Sequence, residues 1–211
     1  MSGICGIIAG KNPAGGEDDL YSMMPALLRR GPDYRTSKIE ERVCFGYSGA
    51  EGAGPAGSEK QLLEDPAGDL MIVLDGTLYN SAELREQLED QGYRLSAEKD
   101  GEIILKAYRC WGDSFAEKLN GDFAFALYDR SRERCLLGRD PLGLKPLYYG
   151  QKDGSFFFAS NTLALKKAGC GGDLDRAALH YYLTFHAVVP APRTIYAVSY
   201  THLTLPTKRI V

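Results

Sequence analysis

The sequence predicts an α+β layered domain, and two observations carry that prediction. Short apolar stretches bounded by turn residues crowd the middle of the 211-residue chain, while stretches of helical period flank them. The regular strand–helix alternation that a parallel sheet needs is missing, so strands must meet strands and helices must cover the outside.

Taken in order, residues 4–9 form an apolar run closed by Gly10, a buried first strand. Leu20, Met23, Met24, Leu27 and Leu28 recur at helical spacing and predict a helix over 20–28, ended by the turn at Gly31-Pro32. Residues 43–47 read as a strand. The stretch GAEGAGPAG at 49–57 has no strand–loop–helix frame and no Lys-Ser/Thr ending, so it is a flexible loop rather than a phosphate cradle. A strand over 70–74 ends at Asp75-Gly76. Asn80 and Glu83 then make a capping-box pair for a helix running through Leu84 and Leu88 towards Gly92.

Asp100 caps a second helix over 102–110, with Ile103, Ile104 and Ala107 on one face. The chain after Gly112 reads as strand-like, with strands at 123–128, 134–138, 146–149 and 155–159. Phe123 and Phe125 alternate on one side, Arg139-Asp140 and Lys145-Pro146 mark a tight hairpin, and Tyr148, Tyr149 and residues 156–158 supply aromatic core. Helices are expected at 161–168 and 174–183.

Composition excludes several classes. A net charge of -3 with 25 Lys and Arg spread along the chain leaves no basic stripe for nucleic acid. No run of about 18 apolar residues crosses a membrane and the first residues lack a signal-peptide pattern, so a soluble, cytoplasmic protein is expected. Five scattered cysteines, with neither a C-x-x-C pair nor a Cys/His metal spacing, read as reduced, buried thiols.

Eight pieces, in one order, point further. They are the opening Gly-Ile pattern, "RGPD" (30–33), "DGTLYN" (75–80), "DGE" (100–102), "LNGDFAFALYD" (119–129), "GRDPLGLKPLYY" (138–149), "FASNTLAL" (158–165) and "TFHAVVPAPRTIY" (184–196). Over about 195 residues they resemble the class II glutamine amidotransferase domain at the N-terminus of asparagine synthetases. The resemblance implies a four-layer αββα sandwich of two antiparallel sheets, of the N-terminal-nucleophile hydrolase type.

In that family the chain opens Met-Cys-Gly-Ile; the exposed cysteine acts through its thiol, with its own α-amine as base. The ungapped match sets Ser2 on the nucleophile position and leaves Cys5 inside the first strand. Removal of residues 1–4 would instead make Cys5 terminal.

The family's "NGE" supplies oxyanion donors and a substrate contact, whereas this chain has Asp75, Gly76 and Thr77. An aspartate donates no hydrogen bond and repels an oxyanion, and losing one such donor alone costs on the order of 10²–10³ in rate. The family's "RLS" arginine, which clamps the glutamine carboxylate, has no counterpart, since no arginine stands from 44 to 61. Gly76 and Asp100 are what remain of the substrate contacts, and Asp100 doubles as a helix cap. A degenerate glutamine site is therefore expected.

The family's synthetase domain carries a Ser-Gly-Gly-x-Asp-Ser loop for ATP, and no such loop occurs here. The match ends at Ala197, and "VSYTHLTLPTKRIV" (198–211) resembles translated adapter sequence, a non-native and poorly packed tail replacing that domain. The resemblance implies an ATP-dependent, amide-forming ligase of the asparagine synthase type. No cofactor is expected in this piece, and ATP and magnesium are expected in the missing domain. The partners implied are glutamine or nothing at the degenerate site, and the synthetase domain; homodimerisation stays open. Two further readings are a scaffold domain of a macrolactam- or β-lactam-forming synthetase and a stand-alone binding module.

Overall fold

In a computed structural model of the chain, residues 2–10, 16–51, 61–95, 99–170, 172–186, 189–190 and 196 are described, together with the backbone of 208–210. Two five-stranded antiparallel sheets organise them. The first contains β1 (Ser2–Ile8), β2 (Tyr34–Ile39), β3 (Val43–Gly49), β8 (Tyr148–Lys152) and β9 (Ser155–Ala159), in the order β2-β3-β1-β9-β8. The second contains β4 (Leu62–Glu64), β5 (Leu70–Leu78), β6 (Gly121–Asp129), β7 (Arg134–Arg139) and β10 (Lys208–Ile210), in the order β10-β7-β6-β5-β4.

Period-two alternation sorts side chains into three apolar layers. Ile4, Phe45 and Phe158 of the first sheet meet Met71, Val73, Ala124 and Ala126 of the second between the sheets. The other face of the second sheet (Ile72, Leu74, Phe123, Phe125) is covered by α2 (Ser81–Asp90) and α3 (Asp100–Trp111). The other face of the first sheet (Cys5, Ile7, Cys44, Phe157) is covered by α1 (Gly16–Met23) and α4 (Thr162–Lys167). The result is the expected helix–sheet–sheet–helix stack. A fifth helix, α5 (Arg176–Thr184), buries Ala178 and is capped by Asp175.

Several local expectations change. The helix predicted over 20–28 is α-helical to Met23 and then tightens into a 3₁₀ turn, Met24–Leu27, because Pro25 lacks the N–H that would continue the α ladder. Asn80 precedes α2, yet its side chain makes no cap; it binds the Lys118 carbonyl at 2.9 Å and the Asn120 N–H at 3.1 Å. After Gly112 the chain forms a 3₁₀ segment, Gly112–Lys118, rather than strand. The β5 strand runs on past Asp75 to Leu78.

Arg139-Asp140 and Lys145-Pro146 do not form a hairpin. The strands β7 and β8 lie in different sheets, and the segment between them crosses from one to the other. Asp140, 2% exposed, shapes that crossing by accepting from the Leu144 N–H (2.8 Å) and the Lys145 N–H (3.0 Å). The short strands β2 and β4 are additions to the sequence reading.

Phe123 and Phe125 do share a face, and Tyr149 and residues 156–158 are buried as expected. No described helix is long and apolar enough to cross a membrane. Most of the glycine-rich stretch 49–57 and most of 184–211 lie outside the described residues.

Candidate active site

The start of β1 is the place to look, because Ser2 and Cys5 are its two candidate nucleophiles. They point in opposite directions. Three residues along a strand reverses the side-chain direction, so Cys5 faces α1 and α4, while Ser2 shares its face with Ile4 and looks across to the second sheet. Cys5 is fully buried among apolar groups, and desolvation pushes its thiol up to about 12. It is an inert core residue.

Ser2 meets Asp75. Its hydroxyl donates to Asp75 Oδ1 at 2.6 Å. On β5 the alternation that sends Ile72 and Leu74 to the helices sends Val73, and with it Asp75, to the space between sheets. Asp75 is 0% exposed. A bare carboxylate there would be costly to desolvate, and two cations offset it: Arg30 Nη2 lies 3.1 Å from Oδ2 and Lys145 Nζ lies 3.7 Å from Oδ1.

Each partner is delivered by a local device. Arg30 follows the 3₁₀ turn, its N–H bonded to the Leu27 carbonyl at 2.8 Å. Its stem passes Gly3, where an added Cβ would come 3.3 Å from Arg30 Cδ, and its Nε donates to the Ser2 carbonyl at 2.8 Å. Gly31 then lets the chain press against β3, since a Cβ would meet Gly49 Cα at 2.5 Å. Lys145 is placed by the Asp140-anchored crossing. Tyr47, on β3, stands beside them; burial chiefly raises its phenol, the Ser2 side chain opposes this, and the Asp75 charge adds to it.

Gly76 has φ of +139°, and a Cβ there would fall 1.9 Å from the Asp122 carbonyl, so only glycine fits beside Asp75. Asp100 is not the cap of its helix. Lys99 holds that position, and Asp100 Oδ2 accepts from the Leu78 N–H at 2.9 Å, tying α3 to the end of β5. Burial raises its carboxyl above the usual range, with the Leu78 bond opposing. None of its described polar contacts reaches Ser2 or Asp75.

The structure thus joins Ser2 to Asp75, keeps Gly76 alongside, and leaves Asp100 bonded elsewhere. It adds Arg30, Lys145 and Tyr47. Arg30 and Lys145 were visible in sequence only as parts of turn and hairpin motifs, since the partner of each, Asp75, is 45 and 70 positions away.

A family model described as glutamine amidotransferase domain matches residues 1–204. Asparagine synthetase [glutamine-hydrolyzing] 1 of Bacillus subtilis is 32% identical over 205 residues, covering 92% of this chain and 31% of that protein. A putative asparagine synthetase [glutamine-hydrolyzing] of Mycobacterium tuberculosis is 33% identical over 183 residues, covering 81% of this chain and 28% of that protein. The chain therefore spans about a third of the length of such relatives. Among solved structures, the glutamine phosphoribosylpyrophosphate amidotransferase of B. subtilis superposes with a TM-score of 0.64 at 20% identity, covering 79% of this chain and 43% of that one. An allosteric regulatory enzyme of purine biosynthesis superposes at 0.67 with 21% identity, over the same shares. At such identities the superpositions speak for the fold.

Proposed function

This chain belongs to the glutamine amidotransferase domain family, and from that premise we propose that it is the amidotransferase-type domain of an asparagine synthetase-like, ATP-dependent amide-forming ligase in which glutamine hydrolysis has been given up. One observation carries the second half: Asp75, where the family motif has an oxyanion donor, is buried and bonded to the Ser2 hydroxyl at 2.6 Å.

The chemistry follows from that contact. Acyl transfer needs a nucleophile with a free lone pair and donors aimed at the developing oxyanion. Here Ser2 keeps its lone pairs, but the group beside it is not an oxyanion donor: it is the Asp75 carboxylate, ion-paired with Arg30, which accepts the Ser2 proton. The charge of that carboxylate opposes a second negative charge forming beside it. The absence of any arginine over 44–61 removes the expected clamp on a glutamine carboxylate.

In this reading ATP and magnesium belong to the synthetase domain of the family. The Ser-Gly-Gly-x-Asp-Ser loop that the family's synthetase domain uses for ATP does not occur in these 211 residues. The closed Ser2–Asp75 contact also favours a scaffold role beside a synthetase that takes its amine from another source, as in macrolactam- or β-lactam-forming ligases. A stand-alone binding module is a weaker alternative.

The test is a glutaminase assay on the purified protein. No glutamate release above buffer is expected, whereas turnover near about one per second, within the ordinary range for enzymes, would overturn the reading.

A further inference from the structure

We infer that the cluster of Ser2, Arg30 and Lys145 at the start of β1 is an anion site for small carboxylates, and that the chain fills it with its own Asp75. Two hydrogen-bond donors and one ammonium, from three separate segments, converge on this one carboxylate: the Ser2 hydroxyl at 2.6 Å, Arg30 Nη2 at 3.1 Å and, as an ion pair, Lys145 Nζ at 3.7 Å. They serve both oxygens, two on Oδ1 and one on Oδ2, as donors around a free carboxylate would.

Charge points the same way. Arg30 and Lys145 bring two positive charges against the single negative charge of Asp75, and the next group, Tyr47, is a phenol held neutral by burial. The Arg30 guanidinium and the Lys145 backbone are also held without help from Asp75. Arg30 is fixed by the Ser2 carbonyl and the Leu27 carbonyl, and the Lys145 backbone by Asp140. Removing the Asp75 carboxylate should leave the donors in place with a carboxylate-sized space between them. Asp75 itself is 0% exposed, and the partly exposed Arg30 and Lys145 side chains (21% and 23%) lie between it and solvent.

The inference rests on the reading that this pocket does no glutamine chemistry, and it supplies a cause: an external carboxylate meets a site already occupied. The experiment is thermal unfolding of the whole chain with Asp75→Ala, in sodium formate or acetate against sodium chloride of equal ionic strength. The variant should lose roughly 10 °C in chloride, because two cations lose their counter-charge. Formate at about tenfold its dissociation constant should restore about 3–5 °C. The unsubstituted protein and Asp75→Asn should respond equally to both salts. Combining Asp75→Ala with Arg30→Met should abolish the formate-specific gain.

Equal responses of Asp75→Ala to formate and chloride would overturn the inference. If that variant does not fold in chloride, its refolding yield in formate is read instead; recovery supports an anion site, and none sinks it. The outcome is independent of the glutaminase assay. A protein that hydrolyses glutamine yet gains formate binding on Asp75→Ala would refute the proposed loss of activity and keep the anion site.

Discussion

Ser2 and Cys5 sit three residues apart on one strand and live in different chemical worlds. Ser2 is half-buried and polar-bonded, facing Asp75 with two cations behind it. Cys5 is wholly enclosed by the apolar layer under α1 and α4. The difference teaches that identity at a nucleophile position counts for less than strand parity. The better nucleophile by chemistry, the thiol, is on the face that no substrate can reach.

The strongest way to break this comparison is at Asp75. Asp75→Ala should destabilise by about 3–5 kcal/mol, the usual cost of leaving a buried counter-charge unpaired, measured by denaturant unfolding. A loss under about 1 kcal/mol would mean that the polar face of β1 is not held by this carboxylate.

Next comes exchange of character on the apolar face. Cys5→Ser buries a hydroxyl among Leu20, Met23 and Ala159 and should cost about 1–3 kcal/mol. Ser2→Ala, on the polar face, should cost about 1 kcal/mol, because Asp75 keeps Arg30 and Lys145 after losing one hydroxyl. If the order of these two is reversed, the assignment of the two faces is wrong.

The smallest effect is a reactivity difference. Of the five cysteines, Cys110 alone is half-buried and the other four are buried. One equivalent of thiol should therefore react rapidly with a disulfide reagent at pH 8 in the native state, and all five after denaturation. The pH dependence has a definite sign. With its folded pKa raised to about 12, Cys5 contributes stability that is fully present below the ordinary thiol value of 9.0. That contribution fades as pH rises from there through 12. Rapid labelling of Cys5 would contradict its burial.

Strands with strong apolar alternation were legible. Residues 155–159 were read to the residue, and β6 and β7 to within two. The short edge strands were not, because Tyr34–Ile39 alternates weakly and Leu62–Glu64 is only three residues long. Helix existence was legible and helix capping was not. Asn80 and Asp100 have cap-forming chemistry, but each found a tertiary partner, the 118–120 backbone and Leu78 respectively. At the site, Ser2, Asp75 and Gly76 could be named from the motif order. Their bonding could not, since a hydrogen bond across 73 positions leaves no mark in local pattern.

By itself the sequence determined the layered class, the order of the apolar strands and the motifs that singled out Ser2 and Asp75-Gly76-Thr77 as candidates. These depend on periodicity, turn chemistry and motif order, all of which are local. Only the tertiary structure decided that the segment 140–147 crosses between sheets, that Cys5 faces away, and that Arg30 and Lys145 close on Asp75. Those outcomes depend on which faces of two sheets meet, and the partners of a buried charge follow from that meeting.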